Sequence, residues 1–481
     1  MPKNRKGFRL EADSLGERRV PIGAYWGVQT LRASENFAIS GMRAKPVFIT
    51  ATAMVKKAAA RTNLSLGLLD RKRAGAIIRA ADEIINGGLH DQFIVDVYQA
   101  GAGTSHNMNA NEVIANRAIE ELGGRRGDYS IVHPNDHVNA SQSTNDAMPA
   151  ALRVAAIMSS EGLVRALNGL SRTLRQKAAR FDGVIKSGRT HLQDAAPVRL
   201  GQEFSGYAAS VESSVDRIKT ATGRMRIIGL GGTAVGTGIN THPLYRKAVM
   251  PALRDATGIR GLRPAPDYFE AATSLGDFTA SSGALRGAAA DLIRICNDLR
   301  LLASGPHTGL AEITIPAVQP GSSIMPGKVN PSMPEMLTMV SFQVIGNDLA
   351  ITLAAQAGQL ELNVMFPLVN WNLLHSIEIL TNAVSAFDER CARGIEADRQ
   401  RCKTYFENSA GLATALNRVI GYEAAARVVK EAEANGETIR EAVLRAGIMT
   451  KDEWERITDP KTITGPAGLK GLKRKRPGRA R

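Results

Sequence analysis

The sequence LVRALNGLSRTL, residues 163–174, decides the fold class of this chain. Its four leucines are spaced by four, three and four residues, which places them on one face of an α-helix. A second series has spacings of three, four, four and three: Phe204, Tyr207, Val211, Val215 and Ile218. Each series predicts a helix with a single apolar stripe that must be buried against other helices.

The same periodicity extends over much of the chain. It predicts long helices around 147–181, 200–228, 265–304 and 333–388, with few interior glycines or prolines. These helices are longer than those of most globular proteins. Long amphipathic helices bury their stripes most simply in a bundle, which often continues into an oligomer core. We therefore predict a mainly all-α fold with a central bundle of long helices.

The bulk composition excludes several classes of protein. Aromatic residues make up only 5% of the 481 residues, which argues against a β-sandwich or barrel. No uninterrupted apolar run reaches about 18 residues, so no transmembrane helix is expected. No apolar segment follows the basic N-terminus, which argues against a secretory signal. Three scattered cysteines fit reduced packing residues in a cytoplasmic protein: Cys296, Cys391 and Cys402.

The net charge of +15 is unevenly distributed along the chain. Residues 470–481 contain seven Lys or Arg and no acid. A basic tail can bind phosphates, but this one has no aromatic residue to stack on bases. We therefore expect a disordered, solubilising tail, with no nucleic-acid partner and no membrane partner.

The most informative polar segment is GSSIMPGKVNP, residues 321–331. Glycine and proline shape its backbone, and its side chains bring together two hydroxyls, one ammonium and one carboxamide. The segment has no metal-ligand set and no dinucleotide fingerprint, so no cofactor or metal is expected. Its groups suit the binding of a small anion and the removal of a proton from it. Taken alone, it could equally be an ordinary polar surface loop.

Four further polar segments interrupt the helical pattern: GAGTSHNMN at 101–109, HPNDHVNASQSTND at 133–146, SGRTHLQD at 187–194 and GLGGTAVGTG at 229–238. Singly, their Ser, Thr and Asn residues would be ordinary helix N-caps. Together they would place many neutral donors at helix N-termini, where an anion is favoured. The glycines at 229–238 follow a helical pattern rather than a strand, so we expect a tight turn or close packing there and no dinucleotide site.

These motifs resemble those of the aspartase/fumarase superfamily, in order, over roughly residues 8–468. The resemblance implies three α-rich domains at 1–143, 144–399 and 400–469. It also implies a homotetramer assembled through the long-helix bundle. Each active site would draw residues from three subunits.

The family reaction removes a proton from the carbon next to a carboxylate and expels a group from the neighbouring carbon, leaving fumarate. By resemblance Ser322 is the general base, acting as an oxyanion stabilised by loop N–H groups and Lys328. The resemblance implies the remaining roles. The carboxylate next to the abstracted proton is held by Thr104, Ser143, Thr144 and Ser323. The other carboxylate is held by Thr190, Lys328 and Asn330. The leaving group lies by Asn145 and His191, and Glu335 pairs with His191.

The leaving group distinguishes two reactions within the family. Residues 24–30, 91–96 and 102–105 resemble aspartate ammonia-lyases, which convert L-aspartate to fumarate and ammonia. Fumarases typically carry Gln in place of Ser105 and Ser in place of Thr144. Aspartate ammonia-lyase is therefore the favoured assignment.

Other segments favour the alternative, a class II fumarase acting on L-malate. HPND at 133–136 and LGGT at 230–233 resemble the fumarase forms. Phe366 occupies a place where aspartases commonly carry an acid, although it could be only a packing aromatic. A third hypothesis is a catalytically silent scaffold that uses the basic tail. The intact set of Ser322, Lys328, Asn330, Thr190 and His191 argues against that hypothesis.

Overall fold

The computed structural model describes residues 7–99 and 101–466. The predicted basic tail at 470–481 lies outside this range. The described residues fall into two compact units, within Met1–Arg165, Ser214–Ala289 and Val340–Thr381 for the first, and within Ala166–Ser213, Ala290–Met339 and Asn382–Arg481 for the second.

Helices dominate the structure, as the periodicity predicts. They are α1 (Val28–Asn36), α2 (Pro46–Ser65), α3 (Arg71–Ile85), α4 (Thr104–Glu121), α5 (Thr144–Arg180), α6 (Leu200–Arg224), α7 (Tyr245–Thr257), α8 (Tyr268–Thr273), α9 (Gly276–Leu302), α10 (Ser332–Gln356), α11 (Phe366–Arg390), α12 (Arg399–Asn408), α13 (Asn417–Ile420), α14 (Tyr422–Asn435), α15 (Ile439–Arg445), α16 (Lys451–Ile457) and α17 (Pro460–Ile463). Short 3-10 or π-helical turns lie at His90–Gln92, Gly101–Gly103, Pro134–Val138, Ala392–Gly394 and Ala410–Leu416.

The strands form four two-stranded ladders. β1 (Phe8–Asp13) pairs with β2 (Gly16–Pro21), β3 (Ile185–Thr190) with β4 (Gln193–Arg199), β5 (Ile227–Ile228) with β6 (Arg263–Pro264), and β7 (Ile313–Thr314) with β8 (Glu396–Ala397). Of these four ladders in the described residues, the pair β5 and β6 is parallel and the other three are antiparallel. The mainly all-α prediction is confirmed.

The two stripes that predicted long helices are buried. All four leucines at 163–174 are fully buried on α5, and the five apolar residues at 204–218 are at most 5% exposed on α6. Phe204 packs edge-on against Phe181 and Tyr207. Five helices have 25 or more residues: α5, α6, α9, α10 and α11.

Two predicted helices are interrupted. The predicted 333–388 helix ends at Gln356 and resumes at Phe366. Between them, the side-chain amide of Asn363 donates to the carbonyls of Ala354 and Ala355, which caps α10. The predicted 265–304 helix is split into α8 and α9, because Ser274 is extended (φ −85°, ψ 129°) after α8.

Each end of the chain contributes its own apolar core. In the first unit, α2, α3 and α4 bury residues such as Ile77, Ile84 and Ile114 in one cluster. In the second unit, Leu416, Val443 and their neighbours form a cluster within residues 406–457. Capping boxes begin two of its short helices, since Thr438 and Thr450 each exchange hydrogen bonds with a glutamate three residues later.

Helices α5 and α10 are long and strongly apolar. By length and mean hydropathy alone, both could span a membrane. Of the most apolar window of α5, 67% is buried within the structure, as in the core helix of a globular protein. The window of α10 is 39% buried, and this helix exposes Met339, Phe342, Leu349 and Leu353.

Candidate active site

The loop at 321–331, in the second unit, is closed at its neck by hydrogen bonds. The Gly321 N–H donates to the carbonyl of Lys328 at 2.8 Å, and Asn330 Nδ2 donates to the carbonyl of Gly321 at 2.6 Å. A side chain at position 321 would collide with the Lys328 carbonyl, so this close approach requires glycine. The loop is therefore shaped as its composition predicts, with one N–H of the Asn330 amide used to hold it.

Ser322 lies inside this turn with its hydroxyl oxygen facing two backbone donors. Ser322 Oγ accepts the N–H of Ile324 at 3.2 Å and the N–H of Met325 at 2.9 Å. Two N–H dipoles aimed at one oxygen favour its anionic form. The predicted supply of loop N–H groups around Ser322 is therefore present in the geometry.

The rest of the loop is open to solvent. Ile324 is 83% exposed, Met325 is 50% exposed, and Ser323 and Lys328 are also exposed. Burial of apolar side chains this exposed against another surface would lower the free energy of the protein.

Thr190 and His191 lie at the tip of the β3–β4 hairpin, also in the second unit. Thr190 pairs with Gln193, so His191 and Leu192 form a two-residue turn. Both have a left-handed backbone, with φ of 57° and 59°. Such a turn requires positive φ at both central residues and usually uses Asn-Gly or Gly-Gly. The backbone strain at His191 and Leu192 is the kind that clusters at functional sites.

A buried ion cluster supports the base of this hairpin. Glu312, fully buried, contacts Lys186 Nζ at 2.8 Å and Arg189 Nη1 at 2.9 Å. Lys186 also contacts Glu203 at 2.8 Å. Burial raises the pKa of Glu203, while the Lys186 charge acts in the opposite direction. The cluster ties β3 to the segment that leads to β7.

Glu335 lies in the first turn of α10 and is partly exposed. In the described part of the chain its carboxylate contacts Arg300, 3.6 Å away, rather than His191. The pairing of Glu335 with His191 stays a prediction.

In the first unit, three predicted site residues lie at the start of α5. Thr144 is 7% exposed, and its neighbours Ser143 and Asn145 are partly buried. Asp146 holds this helix end: its carboxylate accepts the N–H groups of Ser143 at 2.8 Å, Gly231 at 2.8 Å and Thr233 at 3.0 Å. Burial raises the pKa of Asp146, and these three N–H donors oppose the change.

The glycine-rich segment 229–238 therefore serves as a support for α5. Asn145 Nδ2 donates to the carbonyl of Ala234 at 2.7 Å. Gly236 has a φ of 97°, and a side chain there would collide with the backbone of Tyr268. These contacts fit the predicted tight turn and close packing.

Thr104 begins α4 and is exposed. Its hydroxyl donates to the carbonyl of Gly101 at 2.5 Å. Thr104 and Ser105 border an open cleft of about 530 Å³, large enough in volume to hold a small dicarboxylate.

Phe366 lies in the interior of the first unit. It is 2% exposed, packs against Gly103 and contacts Phe278 edge-on. Phe366 is thus a packing aromatic.

Sequence reasoning missed the residues beneath Thr144. Asn107 Nδ2 donates to Thr144 Oγ1 at 3.2 Å, and Lys56 Nζ donates to Asn107 Oδ1 at 2.7 Å. Lys56 is fully buried, and burial lowers its pKa to about 7, partly opposed by the charge of Asp146. The sequence does carry one sign that Lys56 is buried. Phe48, Thr52 and Lys56 are spaced by four residues, which places Lys56 on the buried face of α2.

His106 and the three cysteines are buried packing residues. His106 stacks on Phe48 with ring centroids 4.7 Å apart, and burial, with a further contribution from Lys56, lowers its pKa to about 3. The three cysteines are buried and free, as expected.

Comparison with known proteins shows the family of this chain. A family profile described as Lyase matches residues 16–346, and one described as Fumarase C C-terminus matches residues 412–465. An aspartate ammonia-lyase from Bacillus sp is 49% identical over 97% of this chain and 99% of that protein. A protein named fumarate hydratase class II 2, from Bradyrhizobium diazoefficiens, is 48% identical over 96% of this chain and 98% of that protein.

Solved structures agree with the fold. A crystal structure from Brucella melitensis, described as fumarate lyase:delta crystallin bound to cobalt, is similar to this chain with a TM-score of 0.93 and 48% identity. The similarity covers 95% of this chain and all of that one. The chain therefore belongs to the aspartase/fumarase superfamily of lyases.

Proposed function

We propose that this chain is a carbon–nitrogen lyase that reversibly converts L-aspartate to fumarate and ammonia. The observation that carries the proposal is the pair of backbone N–H groups that donate to Ser322 Oγ. A serine hydroxyl is a weak acid, and such donors stabilise the alkoxide that a general base requires. The aspartate ammonia-lyases among its relatives, 46–49% identical over nearly the whole chain, support this choice of substrate.

The reaction then proceeds in two steps. The Ser322 alkoxide takes a proton from Cβ of L-aspartate, and the electron pair left behind moves into the adjacent carboxylate to form a doubly charged aci-carboxylate. That pair returns to form the carbon–carbon double bond as the Cα–N bond breaks and ammonia leaves. Preorganised donors around the aci-carboxylate would supply the largest stabilisation.

The predicted roles distribute the donors between two carboxylates. The carboxylate that becomes the aci form is held by Thr104, Ser143, Thr144 and Ser323. The other carboxylate is held by Thr190, Lys328 and Asn330. The departing ammonia faces Asn145 and His191, and Glu335 pairs with His191. Apart from Lys328, the donors to the two carboxylates are neutral hydroxyls and amides, which orient a dianion without adding charge to either end.

Hydration of fumarate to L-malate is the second candidate. The relative named as a fumarate hydratase is 48% identical, close to the 49% of the aspartate ammonia-lyase from Bacillus sp. HPND at 133–136 also resembles the fumarase form. The two reactions share Ser322 and the carboxylate donors and differ in the leaving group.

We further propose a cytoplasmic homotetramer whose active sites combine residues from three subunits. The exposed apolar side chains of α10, Met339, Phe342, Leu349 and Leu353, support burial of this helix against other copies. The domain boundaries at 143, 399 and 469 remain part of this proposal, supported by the separate apolar clusters near the two ends. Light scattering of the purified protein tests the assembly.

The substrate is tested with purified protein and the near-ultraviolet absorbance of fumarate. L-aspartate and L-malate are offered separately. Absorbance should rise with L-aspartate and stay flat with L-malate. Fumarate from malate alone would replace the first proposal by the second, and no fumarate from either would reject both.

A further inference from the structure

Lys56 is a buried ammonium that the proposed chemistry does not use. It is 0% exposed on α2, and lysines this buried are almost always paired with an acid. Its recorded partners are instead two amide oxygens, Asn107 Oδ1 at 2.7 Å and Asn139 Oδ1 at 2.9 Å. Burying a charge against neutral groups costs several kcal/mol, roughly. That cost suggests a purpose beyond packing.

The contacts of Lys56 determine how the Asn107 amide is turned. An amide has an acceptor end and a donor end, and its neighbours decide which end points where. Lys56 donates, so Oδ1 of Asn107 must face it, and Nδ2 must face away. Asn139 is held in the matching orientation, because its Nδ2 donates to the carbonyl of Gln142 at 3.2 Å and leaves Oδ1 for Lys56.

The orientation of the Asn107 amide determines whether the Thr144 hydroxyl acts as a donor or an acceptor toward a ligand. Asn107 Nδ2 donates to Thr144 Oγ1 at 3.2 Å, so this oxygen is an acceptor in that contact. A hydroxyl has one hydrogen to donate. Within residues 7–99 and 101–466, no acceptor lies within hydrogen-bond distance of the Thr144 hydroxyl. Its hydrogen is therefore left for a ligand.

We propose that Lys56 and Asn107 are positioning residues that hold the Thr144 hydroxyl as a donor to the substrate carboxylate. The inference rests on the proposed function, because it takes Thr144 to contact the substrate. Lys56 acts through Asn107, and Asn107 acts through Thr144. Loss of the proton from Lys56 leaves the arrangement intact, because a neutral amine keeps two N–H groups for the two amide oxygens.

The sharpest test reverses the polarity of one atom. In Asn107→Asp the side chain keeps its shape and still accepts from Lys56, now as an ion pair. The atom facing Thr144 becomes an acceptor, so the Thr144 hydroxyl turns its hydrogen inward. The same atom also faces Asn139 Oδ1, to which Asn107 Nδ2 donates at 3.2 Å in the wild type, so the melting temperature should fall. At a temperature where the variant is folded, we expect kcat/KM to fall about 10- to 100-fold, the effect of one hydrogen bond to a charged group.

Asn109→Asp is the matched control. Asn109 is two residues further along α4 and is fully buried. Among the residues that the structure describes, its side chain forms hydrogen bonds only with the backbone of Ile94 and Gln92. This variant adds the same charge to the same helix without a path to Thr144. Its kcat/KM should remain within about twofold of the wild type, at a temperature where it is folded.

A double-mutant cycle separates positioning from stability. Thr144→Val removes the hydroxyl, and Lys56→Met removes the ammonium while keeping the stem. In the Thr144→Val background, Lys56→Met and Asn107→Asp should each reduce kcat/KM no further. Lys177→Met is a second control, since Lys177 is also buried but donates to the carbonyl of Ile395. It should lower stability and leave kcat/KM unchanged.

The series is measured with whichever of L-aspartate and L-malate the wild type converts, so an error in the proposed leaving group does not affect it. Wild-type turnover tests the proposed function without any variant. The positioning role is overturned if Asn107→Asp keeps full activity, or if its effect multiplies with that of Thr144→Val. Should Lys56→Met fail to fold, the Asn107→Asp and Thr144→Val pair decides alone.

Discussion

The hydroxyl oxygen of Ser322 lies 2.9 Å from the backbone nitrogen of Met325, three residues further along the same loop. With the N–H of Ile324 at 3.2 Å, this contact directs two dipoles at the oxygen before any substrate binds. The donors belong to a turn closed by Gly321, Lys328 and Asn330. The loop thus carries its own means of stabilising an alkoxide.

Replacing Ser322 by alanine should abolish turnover while leaving the assembly intact. General-base catalysis contributes about 10²- to 10⁴-fold, so kcat should fall by at least that range. Fumarate absorbance measures the loss, and light scattering checks the assembly. Ser304→Ala is the control, because Ser304 Oγ also accepts a loop N–H, that of Leu310 at 3.1 Å, without a predicted role in catalysis. Turnover retained in Ser322→Ala would exclude Ser322 as the base.

Replacing Leu192 by asparagine should stabilise the protein. Leu192 has a φ of 59° and is 70% exposed, so the change relieves left-handed strain and removes little packing. Asparagine tolerates this conformation, and we expect a gain of about 0.5–1 kcal/mol in the free energy of unfolding. Urea unfolding measures it.

Leu301→Asn provides a control of opposite sign for the hairpin variant. Leu301 is 41% exposed within the right-handed helix α9, where asparagine is a poorer helix former than leucine. Its free energy of unfolding should fall by a few tenths of a kcal/mol, roughly. Equal losses of stability in both variants would show that relief of backbone strain at Leu192 does not stabilise the protein.

Acid should destabilise the protein through His106. Its pKa is lowered by burial to about 3 in the folded chain, against about 6.5 when unfolded. The folded state therefore binds fewer protons between these values, so stability is present above about pH 6.5 and falls as the pH drops toward 3, by up to about 1.4 kcal/mol per unit.

His106→Gln cannot titrate, so it tests this dependence directly. The stability advantage of the wild type over the variant should shrink between about pH 7 and about pH 5. Urea unfolding at matched protein concentration measures both proteins. A constant difference across this range would contradict a buried neutral His106.

Neutralising Glu312 should strongly destabilise the second unit. Glu312→Gln leaves Lys186 and Arg189 with weaker partners beneath the hairpin, and breaking a buried ion pair costs about 3–5 kcal/mol. Glu407→Gln removes an exposed pair with Lys403, 3.8 Å apart, and should change stability by less than about 1 kcal/mol. Similar losses in the two variants would show that burial of the cluster adds nothing.

Sequence periodicity alone identified the long helices and the burial of their stripes, but not the breaks at 274–275 and 357–365. Leucines at 163–174 lie on one face by geometry, and any fold that forms this helix must cover them. The polar segments were likewise readable as interruptions of the helical pattern. Local spacing carried these conclusions, whereas the roles of the motif residues rest on their resemblance to a known family.

Tertiary structure decided the rest. The end of α10 depends on the Asn363 amide, seven residues beyond Gln356, and the left-handed turn at His191 and Leu192 depends on the pairing of β3 with β4. Lys56 reaches Thr144 through Asn107, and these three residues come from three different helices. Sequence spacing determines which residues share a face of one helix. Which side chains meet across helices is determined by packing, because hydrogen-bond partners far apart in the chain leave no period in the sequence.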